Sequence, residues 1–230
     1  MREAPPAVSL TLPLAALALT ACESVSFQSP PSDLNACAPG WEGDWRVLEL
    51  EPEHPPAAGE AQYLRVAPGC ERWWWVGYER DDAGALVADV DDMEEDQEIA
   101  FARSERYELL AVRDRESPQS EENPQGWLLI RHQRAGDAIE LTPADKQTAA
   151  HWVIDDLAPG WVDKRDRRAD GTQDGYLKRY SVHVFGTPEE IRRLLDQHPL
   201  FKRAAYRLEP VDAATRAKLD AAIRDRPKEP

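Results

Sequence analysis

Short runs in which apolar and polar residues alternate occupy most of the chain between residues 45 and 142. These runs are rich in β-branched and aromatic residues, and turn sequences such as Asp82-Ala83-Gly84 separate them. This pattern predicts β-strands rather than helices. The predicted strands cover 45–51, 61–67, 72–80, 85–90, 106–112, 126–132 and 138–142, and two more are expected at 175–186 and 204–211.

Helical spacing of apolar residues begins only in the second half of the chain. A first helix is predicted over 142–158, with Thr142 as N-cap and Pro143 at the first helical position. Its apolar face would hold residues at i, i+3, i+4 and i+7. Those residues are Ala150, Val153, Ile154 and Leu157.

Two further helices are expected towards the C-terminus. Thr187 and Glu190 form a capping box that opens a helix over 187–198, and Asp212 caps a weakly amphipathic helix over about 212–224. Many strands followed by alternating helices and strands indicate an α+β fold. We expect mainly an antiparallel β-barrel or sandwich with two or three helices in the C-terminal half.

Three consecutive tryptophans, Trp73 to Trp75, lie in the strand predicted at 72–80. Successive side chains of a strand point to opposite faces, so both faces of this strand are apolar. A central strand that is covered on both sides requires such a sequence, and the helices would supply the outer cover. Two alternatives remain open: Trp73 and Trp75 line an aromatic ligand pocket, or the tryptophans form a patch that faces a protein partner.

The composition is that of a folded and strongly acidic protein. The 230 residues are 42% hydrophobic, enough for an ordinary core, and carry a net charge of −15. This balance argues against a nucleic-acid partner, because binding to phosphates requires a basic face. It suits attraction to a basic protein.

The negative charge is concentrated between Glu79 and Glu98, where ten acidic residues accompany only Arg80. The stretch suits a solvated edge that prevents sheets from associating, or a docking surface for a basic protein. Clustered carboxylates also suit calcium, although the spacing of a calcium loop is absent and we predict no metal site. The candidate partner-binding residues are Asp89, Asp91, Asp92, Glu94, Glu95 and Asp96.

The N-terminal region has the features of an export signal. Residues 10–21 are apolar but too few to span a bilayer as a helix, as in a secretory signal. The run ends in Leu19-Thr20-Ala21-Cys22, which resembles the lipobox of bacterial lipoproteins. The resemblance implies cleavage before Cys22, diacylglycerol on its sulfur and a further acyl chain, such as palmitate, on its amine. Two or more chains make membrane attachment stable. The alternative is a secreted protein without lipid.

The resemblance also implies a location in the cell envelope. An aspartate after the lipidated cysteine marks retention at the inner membrane, and here the residue is Glu23. The absence of an aspartate at this position favours delivery to the outer membrane, facing the periplasm. We therefore predict a signal peptide over 1–21, a lipidated flexible tether over 22–36 that is rich in serine and proline, and a single domain over 37–230. The random-coil reach of such a tether is roughly 20 Å.

The two remaining cysteines, Cys37 and Cys70, are expected to form a disulfide, because export takes them to an oxidising compartment. The sequence also resembles two other groups of proteins. Gly43 and Trp45 resemble the Gly-x-Trp opening of lipocalin-like barrels, although the predicted helices depart from that family. The chain as a whole resembles envelope lipoproteins of proteobacteria, which implies a location rather than an activity.

The sequence contains no motif that assigns a catalytic site, and no cofactor is expected. Ser181 and His183 would share one face of a strand, a weak candidate for a nucleophile and its base. Residues 165–175 only partly match a calcium loop. We therefore predict a non-catalytic lipoprotein that binds a protein or a ligand. Alternatives are an inhibitor or immunity protein directed at a basic cell-wall-degrading enzyme, and an envelope hydrolase.

Overall fold

The computed structural model describes residues 25–52, 56–81, 83–93, 98–113, 126–164 and 180–226. The predicted signal peptide, Cys22 and the loop at 165–175 lie outside the described residues. The strands are β1 (Val25–Phe27), β2 (Gly43–Glu49), β3 (Ala61–Val66), β4 (Trp73–Arg80), β5 (Leu86–Asp92), β6 (Ile99–Arg103), β7 (Glu108–Arg113), β8 (Trp127–Ala135), β9 (Ala138–Pro143), β10 (Gly160–Lys164), β11 (Tyr180–Val184) and β12 (Tyr206–Pro210). The helices are α1 (Lys146–Ile154), α2 (Pro188–Gln197) and α3 (Ala213–Asp225).

All twelve strands belong to one sheet, which runs in the order β10-β11-β1-β8-β9-β12-β2-β3-β4-β5. The hairpin of β6 and β7 joins it at β8, on the edge opposite to β1 and β9. The pairing of β1 with β11 is parallel and the other pairings are antiparallel. The predicted α+β class with mostly antiparallel strands and C-terminal-half helices is confirmed. The sheet is not closed into a barrel.

The start of the first helix was predicted wrongly. Thr142 and Pro143 lie at the end of β9, and the N-cap of α1 is Asp145, whose side chain accepts a hydrogen bond from the Thr148 amide. Because the helix begins later, its buried face also differs. Ile154 is 66% exposed, whereas Ala149, Ala150 and Trp152 are buried.

The other two helices begin as predicted. Thr187 and Glu190 make both hydrogen bonds of a capping box at α2, and its buried residues are Ile191, Leu194 and Leu195. The Asp212 side chain caps α3 by accepting from the Thr215 amide. Local capping chemistry was therefore sufficient to place these two helices.

The stretch predicted as a tether is part of the fold from Val25 onwards. Val25, Ser26 and Phe27 are 6%, 3% and 0% exposed, and they form β1 between β8 and β11. Asn35 also exchanges two backbone hydrogen bonds with Phe101 of β6. The prediction was wrong because β1 is only three residues long, and its partners lie 100 or more residues away in the chain.

Two hydrophobic cores lie on opposite faces of β6, β7 and β8. The helical core is covered by α1 and α2, and its largest members are Phe27, Trp127, Trp152, Tyr107 and Phe201. The aromatic core has no buried member from α1, α2 or α3 and contains Trp41, Trp45, Trp73, Trp75 and Phe101. Alternate residues of β7 face the two cores, so this strand is covered on both sides.

Candidate functional site

The acidic strand β5 forms one end of the sheet. It pairs with β4 over its whole length, and no other described strand pairs with its outer edge. Leu86 and Val87 are 46% and 45% exposed, and the Ala88 and Asp89 side chains are also exposed. An edge strand offers backbone donors and acceptors that an extended segment of another chain can pair with.

Part of the acidic stretch has an internal structural role. Asp81 accepts hydrogen bonds from the Ala83 and Ala85 amides and so fixes the turn between β4 and β5. Asp92 forms ion pairs with Arg72 and with Arg226, the latter at 2.8 Å. The charge that a partner would encounter is therefore smaller than the composition of the stretch suggests.

The remaining predicted acidic residues divide into three groups. Asp89 is exposed, and its register partner is Gly77, so no opposing side chain covers it. Asp91 is half-buried opposite Trp75. The third group, Glu94, Glu95 and Asp96, lies outside the described residues. Asp89 is thus the predicted residue that the structure places most openly on the β5 surface.

The outer face of this end of the sheet is covered by α3. Leu219 of α3 is fully buried. Asp220 of α3 is 2.6 Å from the Arg65 guanidinium, and Arg216 of α3 is 3.0 Å from Asp44. Since Asp44 is only 8% exposed and also bonds Arg65, the ion pairs connect α3 to β2 and β3. The helix therefore packs on the domain.

Trp73 and Trp75 lie inside the aromatic core, each 5% exposed. The Trp73 ring is 5.7 Å from Trp41 and 6.2 Å from Phe101, between ring centres. Trp74 is half-buried on the opposite face, where the Arg72 guanidinium lies 5.1 Å from its ring. The alternation of faces that the sequence predicted is confirmed.

One end of the aromatic core is closed by the predicted disulfide between Cys37 and Cys70, whose Cα atoms are 5.2 Å apart. Cys70 follows a tight turn in which Gly69 adopts a φ of 69°, a conformation that glycine reaches without strain. The carbonyl of Cys70 accepts a hydrogen bond from the Trp73 indole. The bridge thus fixes the loop that leads into the tryptophan strand.

His132 is a buried titratable side chain that packs between two of these aromatic rings. Its ring centre is 5.3 Å from Trp41 and 5.6 Å from Phe101. Burial lowers the pKa of His132 from 6.5 to about 4, with Glu108 acting in the opposite direction and Arg134 in the same one. His132 is therefore neutral at physiological pH.

A second polar pair lies between β1 and β11. Ser26 Oγ is 2.6 Å from His183 Nδ1, and the two residues are register partners, 3% and 4% exposed. The sequence had placed Ser181 beside His183, but Ser26 is the hydroxyl that bonds it. The Trp161 ring lies 5.0 Å from the imidazole. No local signal could have shown this pair, because its members are 157 residues apart.

Two other histidines of the described residues, His151 and His198, lie away from this pair, and His54 is outside the described residues. The side chain of His151 in α1 is 72% exposed, and its Nδ1 is 3.8 Å from a carboxylate oxygen of Asp155. The ring centre of His198 is 6.3 Å from that of Trp152. His198 lines a cavity of about 300 Å³ beside α2, together with Glu190 and Arg193. Neither Ser26 nor the buried tryptophans line that cavity.

Comparison with known proteins found no matching family model, no similar curated protein and no similar solved structure. Among the described residues no helix is both long and apolar enough to cross a membrane. In the same part of the chain, no group of three or more His, Cys, Asp or Glu residues is arranged to hold a metal ion.

Proposed function

We propose that this chain is a non-catalytic lipoprotein of the bacterial envelope that binds a protein partner through the edge of β5. A lipid on Cys22 anchors the protein to the outer membrane, on its periplasmic side. The observation that carries the binding proposal is the exposed edge of β5, with Leu86, Val87 and Asp89 on its surface. The lipobox sequence that ends at Cys22 supports the anchor.

The chemistry of β5 defines the class of partner. An extended segment added to the edge would gain backbone hydrogen bonds, while Leu86 and Val87 would supply apolar contacts. Asp89 and the net charge of −15 would draw basic proteins towards this surface at low ionic strength. A basic enzyme that degrades the cell wall fits this description, so the chain would act as its inhibitor or immunity protein.

The experiment that tests this proposal is a pull-down from the envelope of the source bacterium at low and at high salt. The bait is the chain with Cys22→Ser, which keeps β1 and removes the lipid. We expect a basic protein that is retained at low salt and released at high salt. Asp89→Lys should abolish its retention, whereas Asp137→Lys, the same charge change at the exposed turn between β8 and β9, should not.

Two results would count against the proposal: no protein retained at either salt concentration, or equal retention by the two charge variants. The intact mass of the native protein tests the anchor separately. Cleavage before Cys22 and the added mass of acyl chains support it, and an unmodified Cys22 refutes it.

An envelope hydrolase remains a second candidate because Ser26 and His183 form a hydroxyl–imidazole pair. Such a pair supplies a nucleophile and its base only where substrate can reach the hydroxyl. A fluorophosphonate probe, which reacts with activated serines, distinguishes the two functions. Labelling that Ser26→Ala abolishes would favour the hydrolase, and its absence would favour the binding protein.

A further inference from the structure

The proposed anchor is very close to the folded domain. Only two residues, Glu23 and Ser24, separate Cys22 from Val25, which is the first residue of β1 and is 6% exposed. Three consecutive Cα–Cα steps span at most about 11 Å. A lipid on Cys22 is therefore held close to the buried end of β1, and a tether of the predicted length is absent.

The sheet determines the direction in which the chain leaves β1. Residues 127 and 128 of β8 pair with β1, and residues 130–135 pair with β9 on the same edge of β8. Strands β1 and β9 thus lie end to end, and Pro143 of β9 is next to Val25. Because β9 occupies the edge of β8 beyond Val25, the start of β1 lies beside Pro143, three residues before the start of α1.

Basic and aromatic side chains are grouped at this place. Lys146, the first residue of α1, has its ammonium 4.3 Å from the centre of the Tyr180 ring. Lys202 is 56% exposed and lies 2.7 Å from the Asp145 carboxylate. Although burial acts to raise it, the hydrogen bonds from Lys202 and Thr148 hold the pKa of Asp145 below its usual value.

The register of the sheet places this group beside the proposed anchor. Tyr180 lies two positions before Val182, the parallel partner of Val25, so it lies just beyond the N-terminal end of β1. The backbone of Lys164 pairs with Tyr180. The ammonium groups of Lys146 and Lys202 are thus located at this end of a chain with net charge −15.

We propose that Lys146, Tyr180 and Lys202, here called the anchor-side surface, rest directly on anionic phospholipid headgroups. The inference rests on the proposed lipidation of Cys22. Lysines close to a bilayer are attracted by anionic lipids, and tyrosine favours the interface between membrane and water. The acidic remainder of the domain is repelled by the same surface, so one orientation is selected. The domain is seated on the membrane rather than suspended from it.

Lysine acetylation of the lipidated protein in vesicles of phosphatidylcholine and phosphatidylglycerol tests this seating. Modified peptides are quantified by mass spectrometry, with the Cys22→Ser chain in solution as the reference. We expect Lys146 and Lys202 to react several-fold more slowly on the vesicles, whereas the exposed Lys218 of α3 reacts equally in both samples. Vesicles of phosphatidylcholine alone should give weaker protection.

A matched variant separates seating from simple attachment. Inserting a flexible Gly-Ser segment between Ser24 and Val25 keeps β1 and the anchor but lengthens the connection, so the protection of Lys146 and Lys202 should fall. Equal reactivity on vesicles and in solution would overturn the proposal. Protection that also appears in concentrated vesicle-free protein would overturn it too, because a second copy would then cover the surface.

The failure of the lipid anchor can be recognised independently. If the intact mass shows an unmodified Cys22, the anchor proposed above is refuted, and the full chain is then coupled through the Cys22 thiol to a maleimide lipid in the same vesicles. Protection of Lys146 and Lys202 in that sample supports the seating geometry. Its absence refutes the seating as well.

Discussion

The aromatic core and the helical core share the wall formed by β6, β7 and β8, but they are built from different parts of the chain. Most of the aromatic core comes from residues 41–141, with Leu208 of β12 added, and a disulfide closes one end. The helical core draws buried residues from Val25 to Phe201. A core made of nearby segments leaves a local pattern in the sequence, whereas a core made of distant segments does not.

Replacing Phe27 by alanine is expected to have the largest effect, because this fully buried ring joins β1 to the helical core. The free energy of unfolding should fall by about 3–5 kcal/mol, as measured by chemical denaturation. Asp33→Ala, at an exposed site in the stretch predicted as a tether, should change it by less than about 0.5 kcal/mol. Equal effects of the two substitutions would mean that β1 does not belong to the core.

Removing the disulfide tests the aromatic core instead. The bridge spans 33 residues. For a loop of that length, the Cys37→Ala/Cys70→Ala double variant should lose about 3–4 kcal/mol of unfolding free energy. Reductant should destabilise the wild-type protein by a similar amount and leave the double variant unchanged. A variant as stable as the wild type would show that the tryptophans hold the loop without the bridge.

The dependence of stability on pH should come largely from the aromatic core. The folded state keeps His132 neutral down to about pH 4, so between pH 6.5 and 4 the unfolded state binds one more proton. The contribution of neutral His132 to the free energy of unfolding is complete above pH 6.5. This contribution declines as the pH falls to 4, by about 3 kcal/mol in total.

Denaturation curves at several pH values check this sign and size. His132→Phe keeps a ring against Trp41 and Phe101 and should flatten the change between pH 6.5 and 4. His151→Ala, at an exposed position on α1, should leave the change as it is in the wild type. A His132→Phe protein with the full wild-type pH dependence would assign the effect to other groups.

The smallest effect is expected at the N-terminus of α2, which covers the helical core. Thr187→Ala removes the side chain that accepts from the Glu190 amide and should lower the unfolding free energy by about 1 kcal/mol. Thr187→Ser retains that hydrogen bond and should lose much less. If both variants match the wild type in chemical denaturation, the capping box does not contribute to the stability of the helical core.

The strands and helices that the sequence revealed are those with local signals. Alternating residues around Trp73 predicted β4 and its two faces, and the Thr187 and Asp212 caps placed α2 and α3. The first helix was misplaced because Thr142 and Asp145 both offer caps, and the pairing of Thr142 with Arg131 in the sheet decided between them. Tertiary pairing thus overrode a local preference.

The candidate sites also divide into features with a local signal in the sequence and features that depend on tertiary pairing. The acidic composition of β5 was visible in the sequence, but its position at the edge of the sheet was not. The ion pairs of Asp92 with Arg72 and Arg226 were not visible either, because the partners of an ion pair depend on the folded topology. The Ser26–His183 pair could not be predicted for the same reason.

The insertion of β1 between β8 and β11 also has a consequence for the order of folding. Its residues pair with Val182 to Val184, and the Ser26–His183 bond spans 157 residues. Contacts between such distant residues form slowly, because the intervening chain must first be brought together. A chain synthesised from its N-terminus therefore leaves β1 without its parallel partner until residue 184 has followed, and the helical core closes only after Phe201 has followed as well.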